Sequence, residues 1–192
     1  MKRIIVGISG ASGTITAIRL LETLLSMKDV EVHLIISDAA QIVMKAECDM
    51  TYEAVTKLAD FHYDFSDLAA PIASGSFAHD GMIISPCSIK TLGAIAYSNI
   101  DNLMTRAADV CLKEGSPLLL AFRETPLHTG HIRTMLRASE NGAIIFPLTP
   151  QFYAQCETIE EMVDCMVGRM LQRIGIENNL VKVWQGISNE KK

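Results

Sequence analysis

Apolar residues recur along the chain with two different periods. Ile4, Ile5, Val6 and Ile8 form a short run around Gly7, a Gly/Ser cluster follows, and Ile15, Ile18, Leu21, Leu24 and Leu25 then return at helical spacing. A continuous apolar run bounded by turn residues predicts a strand buried on both faces, and the spacing of three and four predicts an amphipathic helix behind it. Residues 32–36 supply a second such strand, completing a strand-helix-strand unit whose crossover is right-handed by default. Three more strands are predicted at residues 81–85, 118–122 and 143–146, each followed by a polar loop and a helical pattern. The sharpest element is the last helix, where Ile159, Met162, Val163, Met166, Val167, Met170, Leu171 and Ile174 keep one face apolar. Thr158 and Glu161 match a capping box, which places its start at Thr158. No Pro/Ser-rich linker or solenoid-length repeat interrupts the pattern, so the expectation is one doubly wound α/β domain with a parallel sheet and a short C-terminal tail.

Composition narrows the function more than the fold. The 192 residues are 49% hydrophobic and 20% charged, and 22 acids against 17 bases give a formal net charge of −5. Duplex binding rests on neutralising many phosphates with Lys and Arg, so no nucleic-acid partner is expected. No apolar run approaches the roughly 20 residues of a membrane-spanning helix, and the chain passes from Met1-Lys2-Arg3 directly into a strand pattern, so neither membrane insertion nor export is expected. Five cysteines, Cys48, Cys87, Cys111, Cys156 and Cys165, contain no C-x-x-C pair and read as reduced thiols of a cytoplasmic protein.

Ligands of open parallel sheets bind outside the carboxyl ends of the strands, so the chemistry is sought in the loops there. The first is Gly7-Ile8-Ser9-Gly10-Ala11-Ser12-Gly13, a glycine-rich turn that lets backbone N–H groups approach an anion at a helix N-terminus. Its spacing is neither that of a dinucleotide fingerprint nor that of a nucleoside-triphosphate loop, and Thr14 breaks the nucleophile-elbow pattern. A simple tight turn capped by Ser12 is the plainer reading. Ser37 ends the second strand as an N-cap or a ligand hydroxyl, with Glu47 further along the helix that follows. Residues 73–77 (Ala-Ser-Gly-Ser-Phe) and 85–88 (Ser-Pro-Cys-Ser) place small hydroxyl side chains around two further strand ends, a composition suited to a flat polar ligand. No histidine lies beside Cys87 in sequence to activate it, so it reads as a buried thiol rather than a nucleophile.

The cations are unevenly placed: six of the eight arginines lie after residue 105. Arg106 and Lys113 are seven apart on a predicted helix and share a face, Arg123 follows a buried strand, and Arg169 flanks the stripe of the last helix. Converging on one pocket, such groups suit a phosphate; singly, they read as solvated residues or as structural ion pairs such as Arg106 with Asp109. Glu124 sits between Arg123 and the strand-terminating Thr125-Pro126, where burial and a neighbouring cation can tune an acid. His128 and His131 lack further ligands in any metal-binding spacing, so no metal is expected.

Taken together, these segments resemble the UbiX-type flavin prenyltransferases, a family that includes the small B subunits associated with hydroxyarylic and phenolic acid decarboxylases. The likeness runs nearly end to end. It is carried by S-G-A-S-G at 9–13, S-x-A-A at 37–40, S-G-S-F at 74–77, P-C-S-x-x-T-L at 86–92, N-L-x-x-R-A-A-D-V-x-L-K-E at 102–114, R-E-T-P at 123–126, P-x-F-Y at 150–153, and Trp184. The chain departs from the family's usual pattern at Thr14, at Ala17, where related chains carry Gly, and at 131–135, which reads H-I-R-T-M.

The resemblance implies a three-layer, Rossmann-like (flavodoxin-like) FMN-binding domain over residues 1–176 and a tail over 177–192. It implies transfer of a dimethylallyl group from dimethylallyl phosphate to N5 and C6 of reduced FMN without a metal, in a homododecamer with shared sites, and delivery of prenylated FMN to a UbiD-type decarboxylase. Gly10, Ala11, Ser12, Ser37, Ser88, Thr91 and Arg123 would hold FMN, with Ser12 near the flavin N5. Glu47 and Glu124 would serve proton transfer and orientation, with Arg106 beside them. Lys113, Arg123, Tyr153 and Arg169 would bind the prenyl phosphate, and Trp184 would close the apolar side. Two other readings share the resemblance. One is an FMN-binding accessory B subunit of a decarboxylase, and the other a flavin-dependent cysteine-type decarboxylase, whose P-A-S-A-N-T loop this chain replaces with P-C-S-I-K-T at 86–91.

Overall fold

The protein is described here by a computed structural model covering residues 1–48, 50–181, 183, 184 and 186. Six strands, β1 (Lys2–Ile8), β2 (Val30–Ile36), β3 (Phe61–Tyr63), β4 (Gly81–Cys87), β5 (Leu118–Phe122) and β6 (Ile144–Pro147), form one sheet in the order β3-β2-β1-β4-β5-β6. Every adjacent pair is parallel. The expected doubly wound sheet is therefore observed, and its direction of winding reverses between β1 and β4, the switch point where such sheets bind ligands.

Alternate strand residues feed two cores. Ile4, Val6 and Ile8, with Val32, Leu34 and Ile36, pack on one face against α1 (Thr14–Leu25), α2 (Asp38–Glu47), α3 (Tyr52–Thr56) and α7 (Ile159–Arg173). Ile5, Ile35, Met82, Ile84, Leu118, Leu120 and Phe122 pack on the other against α4 (Ile89–Ala96), α5 (Leu103–Glu114) and α6 (Thr129–Glu140). Burial on both faces is why the central strands read as unbroken apolar runs. β3 was not predicted: it is a three-residue edge strand with Phe61 and His62 exposed, and so carries no such run. β2 and β4 also run longer than predicted, and β4 reaches Cys87 through a register shift against β5.

The capping of α7 is as predicted on one side, with Thr158 Oγ1 accepting the Glu161 N–H at 3.1 Å. The return bond differs from the box, because the Glu161 carboxylate accepts the N–H of Glu157, one residue before the cap. Beyond α7 the chain folds back: Ile174 and Ile176 are buried in the first core, and Asn178 donates to Gly168 O at 3.0 Å. Of the tail expected from residue 177, Lys182, Gln185 and residues 187–192 lie outside the described residues. No helix among the described residues is long and apolar enough to cross a membrane.

Candidate active site

A cleft of about 810 Å³ opens at the switch point, walled by the loops after β1, β2, β4 and β5 and by α4. Gly10, Ala11, Ser12, Ser37, Ser88, Thr91, Arg123 and Glu124 all line it. Three buried hydroxyls fasten its floor. Ser9 Oγ donates to Pro86 O and accepts the Ser88 N–H, both at 2.8 Å, which clamps the β1 loop to the β4 loop. Thr16 and Ser85 hydroxyls meet at 2.8 Å one layer below. Ser37 caps α2 by accepting the Ala40 N–H, and Ser88 caps α4 by accepting that of Thr91 while donating to its hydroxyl. Two helix N-termini thus face one cleft, a favourable setting for an anionic or multiply hydrogen-bonding ligand. Glycine is required at position 10, where a Cβ would stand 2.4 Å from the Ala39 Cβ and 3.1 Å from its carbonyl carbon. The contact explains why S-x-A-A is small.

The turn into α1 is not capped by Ser12. Gly13 holds the N-cap position with φ 106°, and no side chain caps the helix locally. Glu47 does so from α2, its Oε2 accepting the N–H groups of Gly13 at 2.9 Å and Thr14 at 3.0 Å. Burial alone would raise the Glu47 carboxyl, but hydrogen bonds from the Ser12 hydroxyl and these two amides outweigh it and hold it below the usual carboxylate range. Glu47 is therefore ionised at neutral pH and coupled to Ser12, which lines the cleft, while Glu47 itself stands behind it. Glu124 turns its Oε1 to the Thr125 N–H at 2.9 Å.

The remaining predicted residues do not line this cleft in a single chain. Arg106 and Lys113 share a face of α5, as their spacing predicts, and flank the 73–77 loop: Arg106 Nε donates to Ala73 O at 2.9 Å, and Lys113 pairs with Glu114 against Gly75. Arg106 also forms the anticipated ion pair with Asp109, at 3.2 Å. Tyr153 lies in a second hollow of about 490 Å³ beyond β6, with Thr149 and Phe152, its hydroxyl donating to Gln151 Oε1. Its ring meets Trp184 edge-on, with centroids 5.7 Å apart, and both side chains are exposed. Arg169 projects from α7 and bonds Gln172 at 3.0 Å. Cys87 is fully buried and burial pushes its thiol up, in keeping with a packing role. His128 caps α6 through the Gly130 N–H, and among the described residues no three His, Cys, Asp or Glu side chains cluster as a metal site.

Comparison with known proteins decides the family. The Flavoprotein family model matches residues 1–171. The flavin prenyltransferase UbiX of Escherichia coli K12 is 49% identical over 188 residues, covering 97% of this chain and 100% of that protein. The chain belongs to the UbiX flavin prenyltransferase family. The solved structure of AnUbiX in complex with FMN and dimethylallyl pyrophosphate has a TM-score of 0.95 and 43% identity over 97% of this chain and 99% of its own. A dodecameric FMN-dependent UbiX-like decarboxylase from Escherichia coli O157:H7 has a TM-score of 0.94 and 43% identity over 96% of this chain and 100% of its own. Sequence reasoning nevertheless missed several cleft-lining side chains of this UbiX-family member, among them Phe65, Lys90 and Tyr97. Lys90 sat inside a quoted motif as a variable position, and the other two lie outside every motif.

Proposed function

We infer that this protein is a flavin prenyltransferase that joins the dimethylallyl group of dimethylallyl phosphate to reduced FMN and releases phosphate. The observation that carries the reading is the switch-point cleft. All seven residues expected to hold FMN line it, in a chain that matches AnUbiX, a structure with FMN and dimethylallyl pyrophosphate, over nearly its full length. The residues fit such a cofactor: the volume is that of a small-ligand pocket, the walls offer hydroxyls and helix N-termini, and a Cβ at Gly93 on the α4 wall would meet nothing within 4 Å.

Reduced FMN supplies nucleophilic N5 and C6 atoms; the chain does the rest. Ser37, Ser88, Thr91 and the Gly10-Ala11 turn bind and orient the flavin, and Ser12 presents its hydroxyl at the reacting edge. Glu47, held ionised, accepts a proton through Ser12 and does not donate one at neutral pH. Glu124 orients the substrate beside Arg123, with Arg106 assisting. Lys113, Arg123 and Arg169 neutralise the departing phosphate and Tyr153 donates a hydrogen bond to it, where an allylic C–O cleavage develops charge. Tyr153 and Trp184 exclude water from the allylic carbon.

Because Lys113, Tyr153 and Arg169 stand away from the cleft within one chain, the complete site is assembled between copies of the chain, as a dodecamer would permit. The FMN-binding unit is residues 1–176, the compartment is the cytoplasm, and the product passes to a UbiD-type decarboxylase. Anaerobic incubation with reduced FMN and dimethylallyl phosphate, and separately the pyrophosphate, followed by flavin mass spectrometry, is expected to give a prenyl-sized mass gain. An unaltered flavin with both donors refutes the reading.

A further inference from the structure

Two of the five cysteines meet although their sequence spacing gives no sign of it. Cys156 follows the short helical turn Phe152–Ala154, and Cys165 lies on α7. Their sulfurs stand 3.7 Å apart, with Cys165 buried at 2% exposure and Cys156 half-buried. A thiol that solvent can reach, in contact with a buried one, is the arrangement of an attacking and a resolving cysteine. The other three, Cys48, Cys87 and Cys111, are thiols that burial pushes up, so a peroxide finds little thiolate at them.

A bond between the pair would act on two elements already described. Cys156 is three residues beyond Tyr153, and Arg169 stands about one helical turn beyond Cys165. Gln155, between Tyr153 and the sulfur, holds a left-handed φ of 49° that non-glycine residues seldom adopt, so this joint has a more relaxed conformation to move toward. Drawing Cys156 onto α7 therefore displaces the segment that carries Tyr153.

We propose that Cys156 and Cys165 form a redox modification site, closed to a disulfide by a peroxide, and that closure weakens binding of the prenyl donor. The effect on the donor rests on the reading of Tyr153 and Arg169 as its ligands; the modification itself does not. With hydrogen peroxide, the Cys156 sulfur bonds to one oxygen as the O–O bond breaks, and the other oxygen leaves as water with the thiol proton. The Cys165 sulfur then displaces hydroxide from the sulfenic acid, and its proton completes a second water. Two S–H bonds become one S–S bond, and the two electrons lost by the sulfurs reduce the peroxide. Reduced flavin and dioxygen yield hydrogen peroxide, so the oxidant is one that the cofactor itself generates in air.

The test treats wild type, Cys156→Ser and Cys165→Ser with hydrogen peroxide, blocks the remaining thiols, and maps the peptides by mass spectrometry beside non-reducing electrophoresis. Donor KM and FMN affinity are measured before oxidation, after it, and after dithiothreitol. Oxidised wild type is expected to give a 156–165 linked peptide within one chain and a rise in donor KM of about fivefold, the loss of one hydrogen bond. FMN affinity stays the same, and dithiothreitol restores KM. Cys156→Ser keeps the basal activity and shows neither the link nor the rise, while Cys165→Ser accumulates a Cys156 sulfenic acid that dimedone traps. Absence of the linked peptide from oxidised wild type overturns the site. A linked wild type with unaltered donor KM, or an equal rise in Cys156→Ser, overturns its coupling to the donor. Unoxidised wild type that transfers no prenyl group overturns the functional reading instead, and the linked peptide still decides the site.

Discussion

Removing Glu47 tests whether a residue expected from sequence to do chemistry also holds the first helix in place. Its carboxylate accepts two α1 amides that no local side chain satisfies, across a separation of 34 and 33 residues. Loss of an N-cap acceptor costs about 1 kcal/mol, and because Glu47 is exposed on one side, solvent screening keeps the charge from adding much more. For a chain of this length Glu47→Ala should lower Tm by roughly 2–4 °C. The sign of the pH dependence follows from the depressed carboxyl. A group whose folded pKa lies below its unfolded value stabilises fully above the latter, about 4.3, and loses that contribution as pH falls through the folded value. The deficit of Glu47→Ala is therefore full at neutral pH and shrinks in acid as wild type also loses its carboxylate, while Glu47→Gln, which keeps an acceptor oxygen, falls between the two. Thermal melts of flavin-free protein at fixed concentration, across pH, read the effect, and amide exchange at Gly13 and Thr14 localises it. Wild-type melting together with unchanged exchange at those amides would refute the cap.

Gly10→Ala should destabilise by about 1–3 kcal/mol through overpacking against Ala39 and abolish FMN binding, with Ala39→Gly in the same chain recovering part of both; an unaffected Gly10→Ala protein would contradict the close contact. Cys87 and Cys111 should resist alkylation in the folded protein at about pH 8, near the pKa of a free thiol, because burial pushes Cys87 up and Cys111 up to about 12. Peptide mass spectrometry showing rapid native labelling of either would count against this. Lys113→Met and Arg169→Met should each raise the donor KM about tenfold or more, the loss of a charged contact to phosphate, while FMN affinity measured by titration stays at the wild-type value. A parallel loss of FMN affinity would place them elsewhere.

By itself the sequence determined the layers and the ligand-facing loops. Buried parallel strands must be apolar on both faces, so β1, β2, β4 and β5 were legible as runs; β6, a half-buried edge, was legible from its Ile144-Ile145-Phe146 run, and the hydroxyl-rich loops at Gly10, Ser37 and Ser88 were legible from their position at strand ends. Only the tertiary structure decided the strand order, since an apolar run pairs equally well with any neighbour, and only it revealed β3, whose half-exposed edge leaves no pattern. It also decided what the polar residues do. Glu47 becomes the cap of α1 because the first crossover lays α2 beside that helix, a relation invisible to sequence spacing. The late cations share a region of sequence but not of space: α5 carries Arg106 and Lys113 to the 73–77 loop, while α7, on the other face of the sheet, carries Arg169. Composition can place a charge in the chain, but where its field acts is set by distance, and distance is a property of the fold.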